Sequence, residues 1–174
     1  MEAHDDQGWE DVEQKPTPYM PAAKSGDWGT PLWLFAMLDE EFEFTLDAAA
    51  SATNALCEKF YTKEQDALAQ SWEGESVFIN PPFFAKDLNA FVRKAYVESR
   101  ARNTIVVMIV PAKTDQRWWH EYAIRTQVAF VKGRVTFAGA LHAFPKPVVV
   151  LVFGRHIGPS MTTIIIPPKR ERGD

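Results

Sequence analysis

The run Thr104-Ile105-Val106-Val107-Met108-Ile109-Val110 constrains the fold more than any other stretch. An unbroken apolar, mostly β-branched run offers water no face, so it reads as a strand covered on both sides. A sheet covered on both sides by helices is the α/β architecture. The flanking patterns agree. Thr30 as cap, Pro31 at the first helical position and the apolar set Leu32, Phe35, Ala36 and Leu38 predict a helix. Residues 42–47 (FEFTLD) predict a strand ending at Asp47, and residues 59–62 (KFYT) a short second one. Residues 66–72 read as a brief helical turn. Residues 76–79 (SVFI) predict a buried strand and residues 88–102 a helix with Leu88, Phe91, Val92, Ala95 and Tyr96 on its inner face. Residues 115–125 predict a helix capped by Asp115. Three late strands are expected at 128–131, 134–137 and 148–153, the first two joined at Lys132-Gly133. The expected fold is an open α/β sheet, mostly parallel, with an antiparallel C-terminal hairpin.

Composition sets the outer bounds. A chain of 174 residues with 46% hydrophobic and 13% aromatic content can build a real core, and one domain is the default. Residues 1–26 are acidic, Pro-dotted and without apolar period, so they read as a mobile N-terminal arm. The folded domain is expected over 27–160 and a C-terminal strand or tail over 161–174. The single Cys57 predicts a reducing compartment and no cysteine-built metal site. The four histidines have no ligand spacing, so no metal is expected. No apolar run approaches the roughly 20 residues of a membrane span, and residues 1–9 are too acidic for a signal peptide, so a cytoplasmic protein is expected. The net charge of −4 hides a split: residues 86–172 carry fifteen Lys and Arg against five acids. A basic half on an acidic chain fits contact with nucleic acid.

Asn80-Pro81-Pro82-Phe83 follows directly on the strand at 76–79. Two consecutive prolines continue neither a ladder nor a helix interior, so the chain leaves the strand as a stiff extended loop. Loops at the carboxyl ends of sheet strands are where open α/β folds place ligands. The Asn80 side-chain carbonyl and the Pro81 backbone carbonyl are two acceptors, and Phe83 is a flat ring beside them. That set suits a planar aromatic amine donating two N–H bonds. The plainer reading is a proline-rich turn closed by Asn80 as an Asx-turn.

Asn-Pro-Pro-Phe resembles the catalytic loop of amino-directed methyltransferases that use S-adenosyl-L-methionine. The wider chain is similar to the phage-type DNA N6-adenine methyltransferases, the phage Dam family. The shared blocks are Asp27-Trp28-Gly29-Thr30-Pro31, Leu46-Asp47-Ala48-Ala49-Ala50, Phe60-Tyr61-Thr62 with Asp66-Ala67-Leu68, Asn80-Pro81-Pro82-Phe83, Met108-Ile109-Val110-Pro111-Ala112 and Gly133-Arg134-Val135-Thr136-Phe137. They span residues 27 to about 153 in order.

The resemblance implies a Rossmann-like methyltransferase sheet and an enzyme that methylates adenine N6 in double-stranded DNA after base flipping, with GATC as a plausible site. It implies catalytic roles for Asn80, Pro81, Pro82 and Phe83. It implies cofactor contacts from Trp28, Thr30 and Pro31 at the methionine end, from Asp47, Ala48 and Ala49 in the cleft, and from Asp66, Ala67 and Leu68 at the adenine. Alone, Thr30-Pro31 is ordinary helix capping and each acid an ordinary turn residue.

Two departures stand out. Asp47 is followed by alanines and serine where such enzymes usually carry a Gly-rich turn, so a different turn geometry is expected at 48–51. The interval from Asp47 to Asn80 is also little longer than one βαβ unit of about 30 residues, so the usual two helices there cannot both be full length. Glu58 and Glu64 are the candidates for an acid at the cofactor ribose. No separate recognition domain fits, so DNA must be read from 84–88, 113–120 and 138–146. Lys86, Lys113, Arg117 and Arg134 are expected at phosphates or bases, and Trp118-Trp119 as a wedge, unless those tryptophans belong to the core. A monomer is the expected state. The alternatives are a methyltransferase acting on an RNA base or a protein glutamine, and a DNA-binding relative that has lost the chemistry.

Overall fold

A computed structural model describes residues 29–168. The elements run α1 (Leu32–Phe42), β1 (Leu46–Asp47), β2 (Lys59–Phe60), β3 (Ser76–Ile79), α2 (Ala85–Glu98), β4 (Ile105–Pro111), α3 (Arg117–Glu121), β5 (Gln127–Lys132), β6 (Val148–Gly154) and β7 (Ser160–Ile165). The seven strands form one sheet in the order β2-β1-β3-β4-β6-β5-β7. β1 to β4 are parallel, β6 is antiparallel to both β4 and β5, and β7 runs parallel to β5. This is a Rossmann-like α/β sheet, mostly parallel, with one antiparallel strand set into it.

The apolar run that opened the sequence is β4, at the centre. Its side chains alternate between two cores. Val106, Met108 and Val110 join Val77, Ile79, Leu88, Val92, Trp118 and Trp119 on one face. Val107 and Ile109 join Trp33, Leu34, Leu38, Phe78, Val150 and Val152 on the other. α2 and α3 thus cover the first face and α1 the second, which is why every position of the strand had to be apolar.

Several boundaries differ from the sequence expectation for physical reasons. α1 runs on through the acids 39–41 to Phe42, because Glu43 takes a left-handed conformation (φ 48°) and Asp39 accepts a hydrogen bond from the Phe44 amide at 2.8 Å. The alternation at 42–44 therefore reflects aromatic packing, with the Phe44 ring 5.6 Å from Phe35 and 5.3 Å from Phe78. Only Leu46 and Asp47 remain as strand. Thr30 does not cap α1; Pro31 is the capping residue, and its carbonyl accepts from Leu34 and Phe35. The helix expected over 115–125 breaks at Tyr122 into α3 and a 3-10 turn, Ala123–Arg125, and Asp115 does not cap it.

The expected strand at 134–137 is absent. Gly133 adopts φ 101°, a conformation glycine alone takes cheaply, and turns the chain out of the ladder. Residues 134–137 form no strand, yet Val135 and Phe137 are buried and Arg134 and Thr136 exposed, so they carry a strand's alternation outside the ladder. The antiparallel pair is β5 with β6, and 133–147 is the loop between them. The predicted shortening between β1 and β3 is drastic: residues 48–58 and 61–75 hold only turns and bends.

Candidate active site

Strand polarity brings the expected site residues to one edge. β1, β2, β3, β4 and β5 all end there, and β6 begins there. The chain passes from β1 outward to β2 and then crosses back to β3, so the order reverses between β1 and β3. A crevice outside the carboxyl ends at such a reversal is where open α/β sheets bind ligands. Asp47 closes β1 and Asn80 follows β3, so the two lie on either side of it. Two surface depressions, one lined by Phe44, Thr45, Glu58 and Lys59 and the other by residues 101–105 and 154–157, lie at the opposite, amino edge. Glu58 is thereby removed from the crevice, whereas Glu64 follows β2 at the carboxyl edge.

The catalytic-loop candidate is braced from several sides. Pro81 is buried, and Asn80, Pro82 and Phe83 are half-buried, with Asn80 Oδ1 sealed from solvent. The Phe83 ring lies 5.6 Å from Phe137 and 5.4 Å from Phe144, and those two rings are 5.6 Å apart. The backbone of Phe83 is held as well, because its carbonyl accepts a hydrogen bond from Lys113 Nζ at 3.2 Å. Phe137 and Phe144 were not singled out by sequence reasoning. Phe137 stands in one of the shared blocks, but nothing around Phe144 in the sequence links it to Phe83.

Asp47 is almost fully buried, and its carboxylate accepts from the amides of Ala49 and Leu56, both at 3.2 Å. Burial raises its pKa, against the lowering effect of those two amides. The carboxylate thus ties down the loop after β1, which explains how the chain turns there without glycine. No residue in 48–51 has a positive φ. Ala48 is buried and Ala49 half-buried beside it.

Thr30 and Pro31 are buried at the same edge. Gly29 pairs with Ala138 of the 133–147 loop, and a Cβ at Gly29 would come within 3.0 Å of that of Ala138. Trp28, the arm over 1–26 and the basic end from 169 lie outside the described residues.

The Asp66 region departs from expectation. Asp66 has φ 48°, and its exposed carboxylate accepts from the Leu68 amide at 3.2 Å, an Asx-turn. Ala67 is buried in the core, its carbonyl accepting from the Trp72 indole at 3.1 Å. It has no surface to offer a ligand ring, while Leu68 is half-buried.

The cations are distributed around this edge. Lys113 follows β4, and its pKa is lowered by burial and then by the charge of Lys146, with Asp115 opposing. Arg134 is exposed and donates to the Pro145 carbonyl at 2.7 Å. Lys86 is exposed in the first turn of α2. Arg117 is exposed and pairs with Glu121 one turn on. Trp118 and Trp119 are 3% and 6% exposed, so neither can wedge into a base stack as expected of them; their indoles pack edge to face in the core at 5.7 Å. Among the described residues no cluster of three or more His, Cys, Asp or Glu could hold a metal ion, and no helix is long and apolar enough to cross a membrane.

Comparison with known proteins bears on the same residues. Over 96 residues, 54% of its length, the chain is 38% identical to a DNA N-6-adenine-methyltransferase of Escherichia phage T1, covering 39% of that protein. Over 94 residues it is 32% identical to a DNA N-6-adenine-methyltransferase of Haemophilus phage HP1 (strain HP1c1), covering 53% of each chain. The chain thus matches about half or less of the length of these relatives. The family model described as DNA N-6-adenine-methyltransferase (Dam) matches residues 19–166, which take in the whole crevice and every strand of the sheet: the chain belongs to the Dam family.

Proposed function

We propose that the protein transfers a methyl group from S-adenosyl-L-methionine to the N6 amine of an adenine flipped out of double-stranded DNA. The observation that carries this reading is the placement of Asn80-Pro81-Pro82-Phe83 at the sheet's order reversal, with the Phe83 ring and carbonyl both braced. Asn80 Oδ1 and the Pro81 carbonyl would accept hydrogen bonds from the two N6 N–H groups, and Phe83 would stack on the base. As the N6–methyl bond forms the donor's S–C bond breaks, S-adenosylhomocysteine leaves, and N6 loses one proton to water. Accepting both N–H bonds draws the nitrogen lone pair out of ring conjugation and orients it. This is catalysis by positioning and fixed dipoles, and it needs no strong base in the protein.

The residues at the crevice fit a donor with a cationic centre and a carboxylate. The buried Asp47 carboxylate, Thr30 and Pro31 would hold it on the β1 side, and Asp66 with Leu68 would reach its heterocycle. Bound there, the donor supplies a methyl already activated by its sulfonium. The Asp47 amide contacts shape the wall of that pocket.

Lys113, Lys146, Arg134 and Lys86 would take the DNA phosphates. The charge of Lys146 adds to burial in lowering the pKa of Lys113, a repulsion that a phosphate between the two would relieve. GATC duplex is the first substrate to try. The test is incubation with labelled donor and duplex, followed by mass spectrometry of nucleosides. N6-methyladenine is expected from the parent protein, and Asn80→Ala should lower the rate about a hundredfold or more while still binding S-adenosylhomocysteine. No N6-methyladenine on any duplex, or an Asn80→Ala variant as fast as its parent, would sink the reading.

A further inference from the structure

The loop over 133–147 joins β5 to β6 at the carboxyl edge, beside the catalytic loop. Its base is pinned: Arg134 donates to the Pro145 carbonyl at 2.7 Å, the Phe144 amide to Val135 at 2.7 Å, and the Ala112 amide to Pro147 at 2.9 Å. Phe144 lies against Phe83, so the tip is held in fixed relation to the residue that would stack on the base. At that tip Leu141 is 93% exposed, the most exposed of the large apolar side chains among the described residues. His142 is exposed next to it, and Arg134 and Lys146 are exposed at the root.

An apolar side chain held in water on a pinned loop, with Arg134 and Lys146 exposed at its root, suits a partner with an anionic rim and an apolar interior. Duplex DNA is that partner, with phosphates outside and stacked bases within. We infer that Leu141 enters the duplex at the target and fills the space left when the adenine swings out to Asn80. The inference rests on the proposed function. A leucine makes no hydrogen bond to a base edge, so this role carries no sequence preference; it opposes return of the base. The buried Trp118 and Trp119 leave it to this loop.

The experiment places 2-aminopurine at the target position, where leaving the stack raises its fluorescence, and measures single-turnover methylation of the matching adenine duplex. Leu141→Ala should reduce both the fluorescence rise and the rate about tenfold or more, and Leu141→Met should restore most of each. An abasic site opposite the target should recover most of what Leu141→Ala loses, because the unpaired base then opens readily. Met161→Ala, an equally simple change at an 81% exposed side chain near the amino end of β7, serves as control and should leave both readouts unchanged. Thermal midpoints check that each variant is folded. The inference is overturned if Leu141→Ala matches its parent, if the abasic site restores nothing, or if the variant changes only the association state in sedimentation, which would make Leu141 a contact between copies. Failure of the parent protein itself to methylate any duplex would identify the proposed function as the part at fault, and the wedge falls with it.

Discussion

Lys113 Nζ and the carbonyl oxygen of Phe83 are 3.2 Å apart, a hydrogen bond that links the end of β4 to the loop after β3. On the proposed reading it connects the cation that would take a phosphate to the residue that would stack on the base. Lys113→Ala should therefore lower the maximal rate as well as weaken DNA binding, with the rate falling about tenfold for a lost charged hydrogen bond. A loss confined to KM would show that the tie to Phe83 has no part in the reaction.

The lowered pKa of Lys113 has a sign that can be measured. Below that pKa the amine is charged and attracts phosphate; above it the attraction is lost. Because burial and Lys146 hold the value under the ordinary 10.5, duplex affinity should begin to fall in an alkaline series before an unperturbed lysine would deprotonate. Lys113→Arg should move that fall to higher pH, read by fluorescence anisotropy. Coincident curves would remove Lys113 from the phosphate contacts.

The Phe144 ring lies 5.4 Å from that of Phe83. Phe144→Ala removes a half-buried ring from a three-ring cluster and should cost about 1–3 kcal/mol of stability in denaturant unfolding. Its rate defect should exceed what the unfolded fraction explains, since Phe83 loses one wall. Phe144→Tyr, which keeps the ring, should recover most of the rate.

Asp47 predicts an acid-side effect. Its folded pKa lies above the ordinary 3.8, so between those two values the folded state binds more protons than the unfolded chain. This group's contribution to stability is therefore most favourable below 3.8 and declines as pH rises through the folded value. Asp47→Asn should lack that decline in a series of unfolding midpoints. It should also loosen the 48–56 loop, because an amide oxygen cannot replace both carboxylate oxygens. Cys57 reports on this independently: its thiol is pushed up to about 12 by burial and then by Asp47 and Asp39, so Asp47→Asn should speed its alkylation.

Trp118 tests the division between core and surface. Trp118→Ala should destabilise the fold by about 3–5 kcal/mol, as expected for a large buried ring. Trp118→Phe, which keeps most of the volume, should retain DNA affinity. A folded Trp118→Phe variant with weakened binding would return this residue to the interface.

The parts of this molecule legible in the sequence are those where local pattern and tertiary role coincide. β3 matched the expectation residue for residue, since Ser76–Ile79 is bounded by a turn and by Asn-Pro-Pro. β4 was plain because an unbroken apolar run has few alternatives. The absence of glycine after Asp47 is in keeping with a turn in which no residue of 48–51 takes a positive φ. What could not be read was pairing. Residues 134–137 alternate as a strand should, yet Gly133 removes them from the sheet. Trp118 and Trp119 looked the same in sequence whether exposed or buried, and only α3 packing on the sheet decides. Phe144 reaches Phe83 across more than sixty residues of chain, a contact no local pattern records.

The 133–147 loop closes on itself at its root, through Arg134 to Pro145 and Phe144 to Val135, before its tip departs. Within that clasp Phe137 anchors the loop in the core, while Leu141, His142 and Ala143 stand exposed. Residues 141–143 can therefore be changed one at a time while Asn80 and Phe83 keep their places, so a loss of rate on changing Leu141 would report a lost contact with DNA and not a disturbed fold.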